Sequence, residues 1–548
     1  MQSSLSIKIV ITLTVVLLCA GAALYSFGRL HSVGKRYDFD LYTLVPQNAV
    51  AVFETDRILD FYDSVERMHS SRDGHYLSVS ELFNRSNDFF DTLLVEVPHV
   101  LSKQMNKVLV SFHEPDISLN QVMYAALESG GREVIENYLD RYSDIPFPIK
   151  HINCSGEEVK ICPLKDGRFL ALWLTDDFLV VSFQKKLLQE VIDAYDGRRG
   201  LLHNPSFEAL HKGKLRNAFA MLYLRAQAVP LGQRADSLRG VTKWGDWMEL
   251  ELKMDNEAIY ATGVCHEADT LVGSPPLYLQ KPFSGWAADV LPASTSFYTV
   301  RAASGHGTTS IPMFSSSFFV AMPDYATCRD STLTNLLNEC GVNNIVSCIF
   351  SPDERAAQSA CAISIIFLSD ERRAKTLFFK WLQSVSHYEK VMPVPRFEPM
   401  YERYPHSLPF RKYLLPPSTL FFQLTGCDGI SFYTYACFYR GALLLAADAQ
   451  SLSAYIEAME CGDTLENSVY YNALINTLAP SGQYLLIADM NALSQLPLSY
   501  VRKLPTFFLN HTDFFQHFWL AMQFMHQDGL LIPHITLLYR PTSDLPLS

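Results

Sequence analysis

The sequence predicts an α+β protein: an N-terminal transmembrane helix followed by two tandem repeated units of antiparallel sheet with packed helices. Three observations carry that expectation. An apolar stretch opens the chain, strand-type runs alternate with amphipathic helical spacing, and one pattern is written twice. The repeat is plainest where "DDFLVVSFQKKLLQEVIDAYDGRRG" (Asp176–Gly200) returns 264 residues later as "RGALLLAADAQSLSAYIEAMECGDT" (Arg440–Thr464). Each copy reads as the second strand of a hairpin, then an amphipathic helix, then a stop.

Length and composition set the frame. A chain of 548 residues exceeds one ordinary core. Its 48% hydrophobic and 19% charged content suits a folded protein, and 12% aromatics favours strands with large side chains to bury. The net charge of −12, with no Lys/Arg run to override it, argues against a nucleic-acid partner.

Taken in order, residues 1–8 form a short tail and Ile9–Phe27 ("IVITLTVVLLCAGAALYSF") runs 19 residues without a charge. At 1.5 Å per residue such a helix spans about 28 Å, close to a bilayer's hydrocarbon core. An uncleaved anchor competes with a signal peptide cut after Ala20–Ala22 and with a lipoprotein signal at Cys19. The anchor is preferred because apolar character continues past the cleavage site, and Leu18 sits where a lipoprotein signal needs a small residue. The partner so implied is the lipid bilayer, contacted through residues 9–27. Arg29, Lys35 and Arg36 after the segment oppose export by the positive-inside rule. A long domain behind a short signal is nevertheless translocated largely regardless of charge, so the body is expected outside the cytoplasm, in the periplasm.

Residues 28–43 read as a linker, 44–270 as the first unit, 271–290 as a Pro/Gly-rich joint, 291–539 as the second unit and 540–548 as a tail. The repeat extends beyond its opening block. "FLALWL" (Phe169–Leu174) falls on "YTYACF" (Tyr433–Phe438), and the turn Asp176-Asp177 on Arg440-Gly441. Leu188, Val191, Ile192 and Tyr195 fall on Leu452, Tyr455, Ile456 and Met459, one helical face in both copies. Asn204 and Ser468 are matching helix N-caps. The hairpin from Trp247 parallels that from Trp519, "VLVSFHEPD" (Val108–Asp116) parallels "IVSCIFSPD" (Ile345–Asp353), and "LVPQNAVAVF" (Leu44–Phe53) parallels "VLPASTSFYT" (Val290–Thr299).

No motif for a cofactor or a metal is present, and no catalytic motif either. Asp176-Asp177 could be paired acids, but their counterparts Arg440-Gly441 are another turn pair, so a turn explains both. "SGHG" (Ser304–Gly307) lacks a strand–helix frame. His113-Glu114 and His266-Glu267 lack a second metal-ligand histidine and read as strand ends. Cys154 and Cys162 flank a hairpin, as a cross-strand disulfide or as two separate thiols. The aromatic stretch Leu420–Tyr439 offers Phe421, Phe432, Tyr433, Tyr435 and Phe438 as a lipid or peptide pocket wall. Aromatics filling an ordinary sheet core are the competing account.

An anchor, a linker, the opening "LYTLVPQNAVAVFETDRI" (Leu41–Ile58) and duplicated α+β units together resemble a group of bacterial envelope proteins, the domain of unknown function 3352 family. The resemblance implies an exported protein without an established activity. The expectation is therefore a membrane-anchored, non-enzymatic binding or scaffolding protein acting on an unknown envelope partner. The alternatives are a carrier or chaperone-like module for a hydrophobic ligand, and a cryptic hydrolase.

Overall fold

The computed structural model describes residues 39–75, 107–225, 244–267, 281–302, 339–388, 398–399, 410–415 and 434–541, with breaks of up to seven residues inside these ranges. The expected anchor, Ile9–Phe27, lies outside them. Among the described residues no helix is long and apolar enough to cross a membrane.

Among the described residues the fold is mixed α+β around one large antiparallel sheet of twenty strands. The first ten are β1 (Ala51–Thr55), β2 (Val108–Phe112), β3 (Gln121–Ala126), β4 (Lys150–Cys154), β5 (Glu157–Pro163), β6 (Phe169–Leu174), β7 (Phe178–Ser182), β8 (Ala220–Arg225), β9 (Trp244–Met254) and β10 (Ala258–Glu267). The second ten are β11 (Thr295–Ala302), β12 (Val342–Phe350), β13 (Cys361–Leu368), β14 (Glu398–Pro399), β15 (Arg411–Leu414), β16 (Tyr435–Tyr439), β17 (Ala442–Ala446), β18 (Tyr484–Asp489), β19 (Phe518–Gln527) and β20 (Leu530–Tyr539).

The first ten lie side by side as β4-β5-β6-β7-β3-β2-β1-β8-β9-β10. The second ten lie as β14-β15-β16-β17-β13-β12-β11-β18-β19-β20, the same order. Registers agree as well. Val52 opposes Ser111 and Tyr223, while Tyr298 opposes Cys348 and Ile487. Small contacts recur too. Leu201 N–H donates to Val45 O at 2.7 Å, and Leu465 N–H donates to Leu291 O at 2.8 Å.

Among the described residues seven helices of seven residues or more pack on the sheet: α1 (Ile58–Arg67), α2 (Gly131–Tyr142), α3 (Lys185–Asp196), α4 (Pro205–Lys212), α5 (Glu371–Tyr388), α6 (Ala449–Cys461) and α7 (Val469–Ile475). In the first half α3 and α4 cover one face, placing Leu188, Val191, Ile192 and Phe207 on Val52, Leu109 and Val180. The opposite face sets Val108, Val110 and Leu179 against Ile58 of α1. In the second half α6 and α7 cover the first face and α5 the second. Coverage on both sides explains why β7 and β17 are buried at every position. Such strands read as continuous apolar runs instead of alternating ones.

Local signals behave as chemistry demands. Asn204 Oδ1 accepts from Ser206 N–H (3.0 Å) and Phe207 N–H (3.2 Å), and Ser468 Oγ accepts from Tyr471 N–H (3.3 Å), so both cap their helices. Arg440 and Gly441 both take positive φ, the signature of a tight hairpin turn. Three expectations need correction. Leu41–Thr43 belongs to the core, with Leu41 and Tyr42 at 0% exposure, because this turn plugs the sheet beside α4. Phe283–Ser284, expected in the joint, pairs with Ser481–Gly482. Tyr195 is 39% exposed because it lies over Trp173 and Phe178 at the rim of the helix face.

The halves meet edge to edge, β10 pairing antiparallel with β20. Aligning the two hairpins on Trp247 and Trp519 makes His534 the counterpart of Thr262, and these two residues stand opposite each other in the ladder. A local twofold axis normal to the sheet therefore passes between them. Thr262 Oγ1 and His534 Nδ1 are 3.2 Å apart. The apolar core also crosses the seam, since Met248, Leu250, Ala261 and Cys265 join the cluster built on Leu520, Phe524 and Leu537.

Candidate functional site

A dense buried polar group sits in the first half, between the sheet and the Leu41–Thr43 turn. Asp40 Oδ1 accepts from Tyr42 N–H at 3.1 Å and so shapes that turn. The turn drives Tyr42 into the core, where its hydroxyl donates to Glu54 Oε2 at 2.7 Å. Lys107 Nζ meets Glu54 Oε1 at 3.0 Å and lies 5.5 Å above the Tyr42 ring. Tyr223 packs edge-on to Tyr42 and donates to Glu249 Oε1 at 3.4 Å. His211 of α4 closes the group, 3.8 Å from Asp40 Oδ2. Glu54 is 2% exposed and Glu249 6%.

Burial is the first influence on Tyr42, Tyr223, Lys107 and Asp40. It drives the Tyr42 and Tyr223 hydroxyls far above the usual tyrosine range, reinforced by the neighbouring carboxylates. Burial alone would also lower Lys107, but the charge and hydrogen bond of Glu54 outweigh it and hold the ammonium above its ordinary value. Burial acts upward on Asp40 as well. The His211 hydrogen bond, the Lys107 charge and the Tyr42 amide overcome it and lower the carboxyl. The cluster is thus a locked ion pair with tyrosine donors.

The second half shows that the fold does not require this cluster. Equivalent strand positions place Val300 for Glu54, Asn344 for Lys107, Ile487 for Tyr223 and Ala521 for Glu249. Ala288 stands for Tyr42 and Ile475 for His211. The same sheet face is apolar there.

A second arrangement lies on the same face. Ser111 Oγ is 3.0 Å from His113 Nε2, and His113 Nδ1 is 3.1 Å from Asn48 Oδ1. Nucleophile, base and orienting group are what acyl transfer needs. Access is what this trio lacks. Ser111 is 0% exposed, and the equally buried Tyr124 hydroxyl stands 3.0 Å from its Oγ. Burial also pulls His113 down to about 4, against the opposing charge of Glu190, which makes it a weak base at neutral pH. Scanning for motifs missed this trio. The usable signal was the i, i+2 spacing of Ser and His, which puts both on one face of a strand.

Of the sequence-predicted pocket wall, two residues are described, and they do not share a face. Phe421, Phe432 and Tyr433 lie outside the described residues. Tyr435 and Phe438 point to opposite faces, Tyr435 toward the α6 side and Phe438 toward α5, because three residues along a strand reverse the side. Cys154 and Cys162 are free and also on opposite faces. Cys154 opposes Glu157 and Cys162 opposes Leu170, so no cross-strand disulfide can join them. Asp176 is a turn residue ion-paired with Arg132. "SGHG" (Ser304–Gly307) lies outside the described residues. Among the described residues no cluster of three or more His, Cys, Asp or Glu could hold a metal ion.

No protein-family model matches the chain, and no curated protein matches it. Among solved structures, two crystal forms of TP0453 from Treponema resemble it distantly. Crystal form I shares 11% identity over 43% of this chain and 81% of that one, with a TM-score of 0.26. Crystal form IV shares 11% over 41% and 80%, with a TM-score of 0.25.

Proposed function

We propose that the chain is a single-pass, membrane-anchored protein of the bacterial envelope whose body lies outside the cytoplasm and acts by binding or scaffolding. The body is read as an internal duplication, two copies of one sheet-and-helix module fused through their edge strands. The supporting observation is that the groups with chemical potential are sealed. Ser111, Tyr124, Tyr42 and Glu54 are 0–2% exposed, Ser111 engaging Tyr124 and Tyr42 engaging Glu54, which leaves these four groups out of a substrate's reach.

Two reagents test this on intact cells whose outer membrane has been permeabilised. Cys461 is the exposed cysteine among those described. A membrane-impermeant maleimide is expected to label it in the wild-type chain, the adduct mapping to the Cys461 peptide and absent from that peptide in Cys461→Ser. A serine-directed fluorophosphonate is expected to leave Ser111 unlabelled. Maleimide labelling only after lysis would place the body in the cytoplasm, and a fluorophosphonate adduct on Ser111 would make the protein a hydrolase.

A further inference from the structure

Arg301 on β11 is 5% exposed, yet Nε and Nη1 of its guanidinium have no hydrogen-bond partner, and among the described residues no ion pair includes it. It meets the Tyr484 ring, 5.9 Å away. Contrast Arg540, also largely buried, which pairs with Asp489 at 3.1 Å. An uncompensated buried guanidinium is among the costliest arrangements a core can hold, so something must offset it.

Arg301 is not isolated. Thr299, two residues back on the same face, is 0% exposed, and its hydroxyl also has no partner. Beside it Ser347 of β12 and Ser364 of β13 face each other at 2.9 Å. These four make a polar strip across three neighbouring strands, within the otherwise apolar face packed by Phe378 and Trp381. The first half again serves as a control. The equivalent positions hold Thr55, Phe53, Val110 and Met123. Thr55 has its own protein acceptor, donating to Phe219 O at 2.9 Å. The fold accepts three apolar residues and one satisfied threonine here, so this polar strip answers to something other than folding.

We propose that the strip is a binding site for an anionic group, a carboxylate or phosphate, whose charge neutralises Arg301 and whose oxygens accept from its Nε and Nη1. Guanidinium offers two parallel donors suited to either anion. The site sits where β11 runs out at Ala302, beside the apolar side chains of Ile345 and Phe524. A ligand bearing a hydrocarbon tail would be matched at both ends. This inference deepens the binding reading above and rests on it. A fluorophosphonate adduct on Ser111 would sink that reading, while the titration below decides the site by itself.

The test uses the full-length chain in an uncharged detergent, titrated with dodecyl phosphate, inorganic phosphate or dodecanol while the thermal midpoint is followed. Dodecyl phosphate is expected to raise the midpoint saturably in wild type and in Arg301→Lys. In Arg301→Thr, which installs the first half's residue, the half-saturating concentration should rise by about tenfold or more. The ligand-free midpoint of that variant should not fall, since an unpaired buried charge has been removed. A shift with inorganic phosphate of equal affinity assigns a free anion as the source; a shift confined to dodecyl phosphate assigns a lipid headgroup. The proposal is overturned if dodecanol shifts the midpoint equally, if Arg301→Thr responds like wild type, or if that variant unfolds without ligand.

Discussion

Replacing Gly263 by alanine is expected to destabilise the protein by about 3 kcal/mol, as overpacking against an immovable neighbour does. Gly263 lies on β10, next to Thr262 at the seam. A Cβ built there would stand 1.7 Å from the Glu249 carbonyl oxygen and 2.7 Å from its carbon. Both atoms are backbone of β9, so no side-chain rotation can relieve the overlap. The strands must part, and the ladder that carries the seam parts with them. The equivalent residue in β20 is Ile535, which shows that the close approach belongs to this strand pair and not to the module. Denaturant unfolding followed by circular dichroism would measure the loss. Thr262→Ala, on the neighbouring rung, serves as the mild comparison. A Gly263→Ala chain as stable as that comparison would mean that β9 and β10 do not approach as closely as described.

Replacing Glu54 by valine is expected to cost about 3–5 kcal/mol, even though valine stands at the equivalent position, Val300. The substitution strands Lys107, whose side chain is only 18% exposed, and removes the acceptor of the wholly buried Tyr42 hydroxyl. The cost belongs to the partner left behind, not to the lost contact. Adding Lys107→Met to Glu54→Val should therefore recover a large part of the loss, because removing both charges removes the uncompensated one. Denaturant midpoints of the two single variants and the double variant complete the cycle. Additive losses in the double variant would show that Glu54 and Lys107 are not coupled in the core.

The repeated block was legible because its signals are local. The β6–β7 turn, the α3 stripe, the Asn204 cap and the Trp247 hairpin each announce themselves within about a dozen residues. The seam gave no such sign. Nothing in the sequence of β10 says that it pairs with β20, and that Thr262 opposes its own counterpart appears only once the ladder is drawn. The acid–tyrosine–lysine cluster was equally hidden, since its members run from Asp40 to Glu249 and share a face only once β2, β1, β8 and β9 stand side by side. Arg301 reads in "FYTVRA" as an ordinary solvent-facing strand charge; only burial on both sides of the sheet makes it anomalous. Tyr435 and Phe438 misled for a simpler reason. Aromatic density along a strand does not make one wall, because odd spacing divides it between two faces.

The central claim is that two like ten-strand arrays form one sheet through β10 and β20. The most direct measurement is disulfide formation in the doubly substituted chain Thr262→Cys/His534→Cys, read by peptide mass spectrometry without reductant. Opposed residues of an antiparallel pair lie about 4.5–5.5 Å apart, within reach of a disulfide. The bridge between positions 262 and 534 is expected to form. Thr262→Cys/Ile535→Cys, shifted by one residue onto the opposite face, should not form it. A folded chain in which neither pair bridges, or in which both bridge equally, would contradict the seam.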